Sequence, residues 1–318
     1  MAKKILVTGA SGFVGTHLVK ALVKNPGFQV YGTVYGQGTN LSDVLPASQI
    51  KSLDLTNAEA TSELIKEITP DVIYHLAALS VVHDSLEKAG TFLTANLLMS
   101  YNLLESVRLH APSCRVLAIC SANEYGLVDE KDIPIDEDTP LKPLNPYAVS
   151  KVAQDMLAYQ YFLAYGLDIV RLRPFNHTGP GQTTEFLIPS LASQFVAIGR
   201  GEKEPKIEVG NTESIRDFSD VSDMVDAYLL AADKCQKGEV YNIGFGKGIS
   251  VGEIIKLFEE ISGVKVEVVS NTSRVRTADV PVLIADASKF IDVTGWQPQI
   301  KFKDTLLNVY NYYQSLTT

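Results

Sequence analysis

A tyrosine and a lysine stand four positions apart in Pro146-Tyr147-Ala148-Val149-Ser150-Lys151, at the start of a strongly helical stretch. On a helix this spacing puts both side chains on one face, one turn apart, so that a phenol sits beside an ammonium. A free phenol titrates near ~10, and a neighbouring positive charge favours its anion, drawing the group toward the range useful for proton transfer at neutral pH. The same spacing is common on ordinary helix surfaces, so only corroborating groups distinguish a proton donor from coincidence. Ser121 is one such group. It closes the strand-like run Arg115 to Cys120 in Cys120-Ser121-Ala122-Asn123-Glu124-Tyr125-Gly126, where a hydroxyl can hold a substrate oxygen for proton transfer.

A site of this kind needs an element that brings a second reactant to it. Lys4-Ile5-Leu6-Val7-Thr8 is a short apolar strand, followed by Gly9-Ala10-Ser11-Gly12-Phe13-Val14-Gly15 and an amphipathic helix from Thr16 to Lys24. Strand, glycine loop and helix make a diphosphate cradle. The glycines permit close backbone approach, and the helix N-terminus offers free N–H groups. The spacing Gly9-x-x-Gly12-x-x-Gly15 departs from G-x-G-x-x-G, but its setting predicts dinucleotide binding through Gly9, Ser11, Gly12, Phe13, Val14 and Gly15. After the next strand, Gln29 to Tyr35, the segment Tyr35-Gly36-Gln37-Gly38-Thr39-Asn40 carries neither an acid for a ribose hydroxyl nor an arginine for a 2′-phosphate. The choice between NADH and NADPH is therefore open.

Strand and helix patterns then alternate: Ile50 to Leu53, Asn57 to Ile68, Asp71 to Leu76, Thr91 to His110, Arg115 to Cys120, the helix carrying Tyr147, and Asp168 to Arg173. That order predicts an α/β fold, a Rossmann-like doubly wound parallel sheet with ligand loops at the carboxyl ends of its strands. At two of those ends stand Asp54-Leu55 and His75-Leu76-Ala77-Ala78. Asp54 either accepts from an adenine amino group or caps the following turn. The small residues Ala77 and Ala78, beside Leu76, leave room for a ribose, and His75 reads as a structural histidine. Past Arg173 the alternation breaks. Thr183 to Arg216 reads as an insertion, Asp217 to Lys234 as helix and Glu239 to Gly244 as strand. Residues 1–173 and 215–245 are assigned to the dinucleotide unit, and 174–214 and 246–318 to a smaller mixed α/β substrate lobe, with the ligand crevice between them. Val128 to Pro146, rich in proline and acids, reads as a solvated excursion. The helix continuing from Val149 to Tyr165 carries more apolar surface than one sheet face needs, which predicts a homodimer.

Composition narrows the function classes. Across 318 residues, 46% hydrophobic and 20% charged side chains suit a folded globular chain, and a net charge of −9 argues against a nucleic-acid binder held by phosphate contacts. The opening residues are too short for a signal-peptide core and no apolar run reaches membrane-spanning length, so neither export nor a membrane partner is expected. Cys114, Cys120 and Cys235 have no metal-ligand spacing and suit buried thiols in a reducing cytoplasm.

Taken together, Gly9-x-x-Gly12-x-x-Gly15, Asp54-Leu55, Ser121 with Tyr147-x-x-x-Lys151, and the turn Arg173-Pro174-Phe175-Asn176-His177-Thr178-Gly179-Pro180-Gly181-Gln182 resemble the extended short-chain dehydrogenase/reductases that act on nucleotide sugars. The match spans nearly the whole chain. Ile215-Arg216-Asp217-Phe218-Ser219-Asp220-Val221 and Arg276-Thr277-Ala278-Asp279-Val280-Pro281 look most like the branch handling GDP-6-deoxyhexoses. The resemblance implies a nicotinamide in the N-terminal unit, a GDP-sugar in the lobe, and hydride exchange at C4 of the hexose. Tyr147 matches the family's acid/base, Lys151 the residue that lowers its pKa and holds the nicotinamide ribose, and Ser121 the partner of the C4 oxygen. Asn176 matches a substrate contact, Arg216 and Arg276 nucleotide contacts, and His177 a residue near the cofactor; Ser80 and Glu124 complete the expected substrate contacts. One departure matters. The family's 4,6-dehydratases carry threonine at the Ser121 position and a glutamate two places on, where this chain has Asn123, and an amide cannot shuttle the proton that elimination needs. Glu124, on an extended chain, should point to the opposite face. The epimerase-reductases of the branch have a cysteine at the Asn123 position and a histidine where this chain has Gly181. The expectation is therefore plain reduction of the C4 ketone of GDP-4-keto-6-deoxy-D-mannose to GDP-D-rhamnose by NADPH or NADH, the alternative being a dehydratase or 4-epimerase with a closed redox cycle, or an idle nucleotide-binding protein.

Overall fold

The computed structural model describes residues 2–36, 41–270 and 280–316. Its first part runs β1 (Lys3–Thr8), α1 (Phe13–Leu22), β2 (Phe28–Val34), β3 (Ile50–Ser52), α2 (Ala58–Ile68), β4 (Val72–His75), α3 (Val82–Glu87), α4 (Ala89–His110), β5 (Arg115–Ile119), α5 (Pro146–Tyr165) and β6 (Asp168–Pro174). The second part runs β7 (Asn176–Thr178), α6 (Leu187–Gly199), β8 (Lys206–Val209), β9 (Ile215–Asp220), α7 (Val221–Lys234), β10 (Val240–Ile243), β11 (Gly248–Ser250), α8 (Val251–Ser262), β12 (Glu267–Ser270), β13 (Val282–Leu283), α9 (Ser288–Thr294) and α10 (Phe302–Ser315).

Seven strands form one sheet in the order β10-β6-β5-β4-β1-β2-β3, parallel throughout. The strands are buried on both faces because alternate side chains feed two separate cores. Ile5 and Val7 of β1, with Leu117 and Ile119 of β5, pack on α1 and α7. Leu6, Val116 and Ala118 pack instead on α2, α4 and α5. The chain reverses its direction of travel across the sheet between β1 and β4, and that switch point opens the crevice at the strands' carboxyl ends.

The doubly wound sheet matches expectation, and the later boundaries are corrected. Asp217 lies in a strand, not a helix, since β9 runs to Asp220, whose side chain accepts from Ser222 N and caps α7. β9 pairs with β7, β11 and β13 in a small sheet, and β8 pairs with β12. Thus Ile215–Asp220 pairs away from the large sheet, whereas Phe290 and Trp296 return to the large sheet's α1/α7 face. The lobe's own core joins α6, α8 and α10 over β8, through Phe195, Ile207, Phe258 and Leu306.

Residues 128–146 are less solvated than their composition suggested. Ile135 is fully buried, its N–H donates to Ile284 O, and Glu137 accepts from Asn242 N at 2.6 Å. This segment therefore seals the floor between β5, β10 and the lobe. Among the described residues no helix is long and apolar enough to cross a membrane.

Candidate active site

A cavity of about 1150 Å³ lies over the switch point, between the carboxyl ends of the large sheet and the lobe. Its walls bring together Gly9, Ser11, Gly12, Phe13, Val14, Gly15, Asp54, Leu55, Leu76, Ala77, Ala78, Ser80, Ser121, Tyr147, Lys151, Asn176, His177 and Arg216. Glu124 is not in the wall, and Arg276, like Arg274, lies outside the described residues.

The cradle at one end fits a dinucleotide diphosphate. Gly9 turns at φ +67°, and a Cβ there would press to 3.0 Å on the Ala77 backbone. A Cβ on Gly15 would collide with Gly9 O and the Ala10 backbone, so the helix can approach the loop only through glycine. α1 begins at Gly12 with no side-chain cap, which leaves its first-turn N–H groups for an anion. Phe13 stacks on His177 of β7, with centroids 6.3 Å apart, at the edge of the cradle. Asp54 caps its own turn, the second of the two readings, and stands at the cavity edge. Its Oδ1 accepts from Thr56 N and Oγ1 at 2.8 Å each, while its exposed carboxylate lines the cavity. The cap of α2 itself is Asn57.

Tyr147 and Lys151 owe their position to a helix start. Asn145 Oδ1 accepts from Ala148 N at 2.8 Å and Pro146 occupies the first helical position, a strong start signal. Ser150 Oγ donates to Tyr147 O at 2.7 Å and accepts from Asn96 Nδ2 at 2.9 Å, locking this turn to α4. Tyr147, Lys151 and Ser121 are all buried, with only 8%, 3% and 6% of their surfaces exposed. Lys151 Nζ donates to Ile119 O at 2.7 Å and to Gln154 Oε1 at 2.8 Å. Burial holds this ammonium below its ordinary pKa.

The tuning expected of the pair is reversed in the protein alone. Burial pushes the Tyr147 phenol up to about 12, and it is the Ser121 hydroxyl, not Lys151, that pulls the other way. The free protein therefore keeps this phenol protonated at neutral pH. His75 is structural, as read: Nδ1 meets Thr8 Oγ1 at 2.9 Å, Nε2 meets Ser100 Oγ at 3.0 Å, and burial lowers its pKa to about 3. His177 shares Nδ1 with Phe175 O at 2.9 Å and is lowered in the same way.

Glu124 departs from its expected place for a different reason than the one anticipated. Ala122–Glu124 is a 3₁₀ turn rather than extended chain, and it forms a capping box: Glu124 Oε1 accepts from Ser121 N at 2.9 Å while Ser121 Oγ accepts from Asn123 N at 3.2 Å. The turn buries Glu124 completely beneath Ser121, with Oε2 at 3.4 Å from Arg173 Nε. Burial first, then Asp155, holds its carboxyl well above the ordinary range. Sequence reasoning missed Asn145, Gln154, Asn96 and Ser150. Only Asn145 left a signal, the Asn-Pro pair at a helix start.

The model of the GDP-mannose 4,6-dehydratase family matches residues 6–309, nearly the whole chain. The chain belongs to that family. This family member is 34% identical over 315 residues to the GDP-6-deoxy-D-mannose reductase of Pseudomonas aeruginosa, with 99% of this chain and 98% of that protein covered. It is 36% identical over 293 residues to the GDP-6-deoxy-D-talose 4-dehydrogenase of Aggregatibacter actinomycetemcomitans, covering 92% of this chain and 91% of that one. Its fold superposes on the structure of RMD from Pseudomonas aeruginosa complexed with NADPH with a TM-score of 0.88, at 33% identity and 99% and 100% coverage of the two chains.

Proposed function

We propose that this family member reduces the C4 ketone of GDP-4-keto-6-deoxy-D-mannose to GDP-D-rhamnose with NADPH or NADH. The observation that carries the reading is the pairing of a protonated Tyr147 with Ser121 and Asn123 at one cavity wall that also adjoins the diphosphate cradle. Asn123 occupies the position where the dehydratase pattern needs a carboxylate, so a proton source for the ketone is present and one for elimination is absent from that position. The relatives that act on GDP-6-deoxyhexoses support the substrate class, and the fold shared with an NADPH complex supports the cofactor.

The reduced nicotinamide, when bound, supplies hydride. Gly9, Gly12, Gly15 and the N-terminus of α1 would hold its diphosphate, and Leu76 to Ala78 would leave room for a ribose. The substrate sits toward the lobe, against Ser80, Asn176 and Arg216, whose Nη1 already leans on Ile215 O and Pro281 O. Tyr147 gives its proton to the oxygen at C4 as the carbonyl becomes an alcohol, Ser121 holds that oxygen, and Lys151 steadies the phenolate that remains. Proton transfer from a positioned group contributes roughly 10²–10⁴ in rate. Exposed apolar side chains on α4 and α5, including Leu97, Leu98, Tyr101, Met156, Tyr159 and Leu163, support a homodimer meeting through those helices. Three free, buried cysteines support a cytoplasmic setting.

Incubation with enzymatically made GDP-4-keto-6-deoxymannose and either nicotinamide tests the reading. Loss of nicotinamide absorbance one-for-one with GDP-rhamnose is expected. Sugar conversion without net nicotinamide consumption would instead establish a closed-cycle dehydratase or epimerase.

A further inference from the structure

Ser121 Oγ is surrounded by donors. Asn123 contributes two of them, its backbone N–H and its Nδ2–H, each at 3.2 Å. A serine hydroxyl has two acceptor positions and one proton, so these two bonds fill its acceptor capacity. The Ser121 backbone cannot swing away to change this, because its own N–H is held by the buried Glu124 at 2.9 Å. From this arrangement we propose that Asn123 is a positioning residue that makes Ser121 an obligate hydrogen-bond donor toward the cavity. Two consequences follow for the reaction. Ser121 offers its proton to the oxygen at C4, as a donor does in an oxyanion hole. Tyr147 finds no acceptor at Ser121 for its own proton, and that proton is left for the same substrate oxygen. No bond of Asn123 breaks during turnover; the only proton transferred is that of Tyr147.

The inference rests on the reductase reading for its kinetic test, and a measurement on the free protein separates the two. Asn123→Asp keeps the shape of the side chain but turns its amide donor into an acceptor, which captures the Ser121 proton. Asn123→Ala removes the donor and leaves the backbone bond. With GDP-4-keto-6-deoxymannose and NADPH, Asn123→Asp should lose about 10²-fold in kcat, Asn123→Ala only several-fold, with NADPH affinity unchanged in both. An Asp variant as active as the Ala variant, or an Ala variant equal to the parent, would overturn the proposal. Without substrate, the Asn123 side-chain amide protons in ¹⁵N-labelled protein should move upfield in Ser121→Ala, having lost their acceptor. If they do not move, Asn123 is not a donor to Ser121 and the proposal fails whatever the enzyme reduces; if they move in a protein that reduces none of these sugars, it is the functional reading that fails.

Discussion

Helix α5 carries two buried polar clusters, one at each end of a single turn, and they are built on opposite principles. Tyr147, Lys151 and Ser121 face the cavity. One turn on, Asp155 faces inward and accepts from Arg171 Nη1 at 2.7 Å and from Arg173 Nε at 2.8 Å. Arg173 continues to Tyr125 Oη at 3.0 Å, Tyr125 donates to Asn242 Oδ1 at 2.7 Å, and the Arg171 guanidinium lies 4.5 Å from the centroid of the Tyr159 ring. In this second cluster almost every donor and acceptor is satisfied inside the protein, the exceptions being Arg171 Nε and Glu124 Oε2. In the first, the hydroxyls of Ser121 and Tyr147 line the cavity and are held by few partners inside the protein. Buried ions that complete one another hold the fold, whereas buried groups left with a proton to give are placed for a reaction.

The sharpest way to separate the clusters is to remove one oxygen from the cavity side. Tyr147→Phe should lose about 10²–10⁴ in kcat while its denaturation midpoint and NADPH affinity stay close to those of the parent. Turnover within a few-fold of the parent would remove Tyr147 from its role, and the two clusters would no longer differ in kind.

The converse change belongs on the inward side. Asp155→Asn leaves two guanidiniums sharing a neutral amide in a buried site, and breaking a buried ion pair in this way costs about 3–5 kcal/mol. Urea unfolding measures it directly. Part of the loss should be offset by Glu124, whose carboxyl is held well above the ordinary range by burial and then by Asp155, and which faces Arg173 at 3.4 Å. Adding Glu124→Gln should therefore cost more in the Asp155→Asn background than alone. A surviving variant should keep its kcat per folded molecule.

The two clusters were not equally legible. Tyr147 and Lys151 announce themselves by helical spacing, and the glycine loop announces the cradle that gives them a partner. The parallel sheet was legible for the same reason, since most of its strands are short apolar runs closed by polar residues. Asp155, Arg171 and Arg173 gave no sign of pairing, because nothing local says that a helix and a strand from distant parts of the chain will bury them against each other. Glu124 was expected at the substrate from the resemblance, whereas the capping box it closes with Ser121 tucks it beneath the serine. β9 was hidden for a related reason: Arg216, Asp217, Ser219 and Asp220 make it polar, yet Asp217 is buried, accepting from the backbone N–H groups of Phe245, Gly246 and Ala285. A strand whose carboxylate staples three segments does not show the apolar pattern by which strands are read.

Gln154 sits between the clusters and gives the smallest expected effect. Its Oε1 is one of two acceptors for Lys151 Nζ, and its Nε2 lies 3.4 Å from the other, Ile119 O. Neither cofactor nor substrate need touch it, so its influence runs through the lysine alone. Gln154→Leu removes an acceptor from a buried ammonium whose pKa burial already lowers. The charged form of Lys151 becomes harder to maintain, and with it the steadying of the Tyr147 phenolate. The expected result is roughly a tenfold loss in kcat, in line with one hydrogen bond to a charged group weakened by partial compensation from Ile119. Gln154→Glu supplies the acceptor and a charge, and should restore the rate. If both variants behave alike, Gln154 is packing material belonging with Asp155; if only the leucine variant slows, the turn of helix between the two clusters is divided at Gln154.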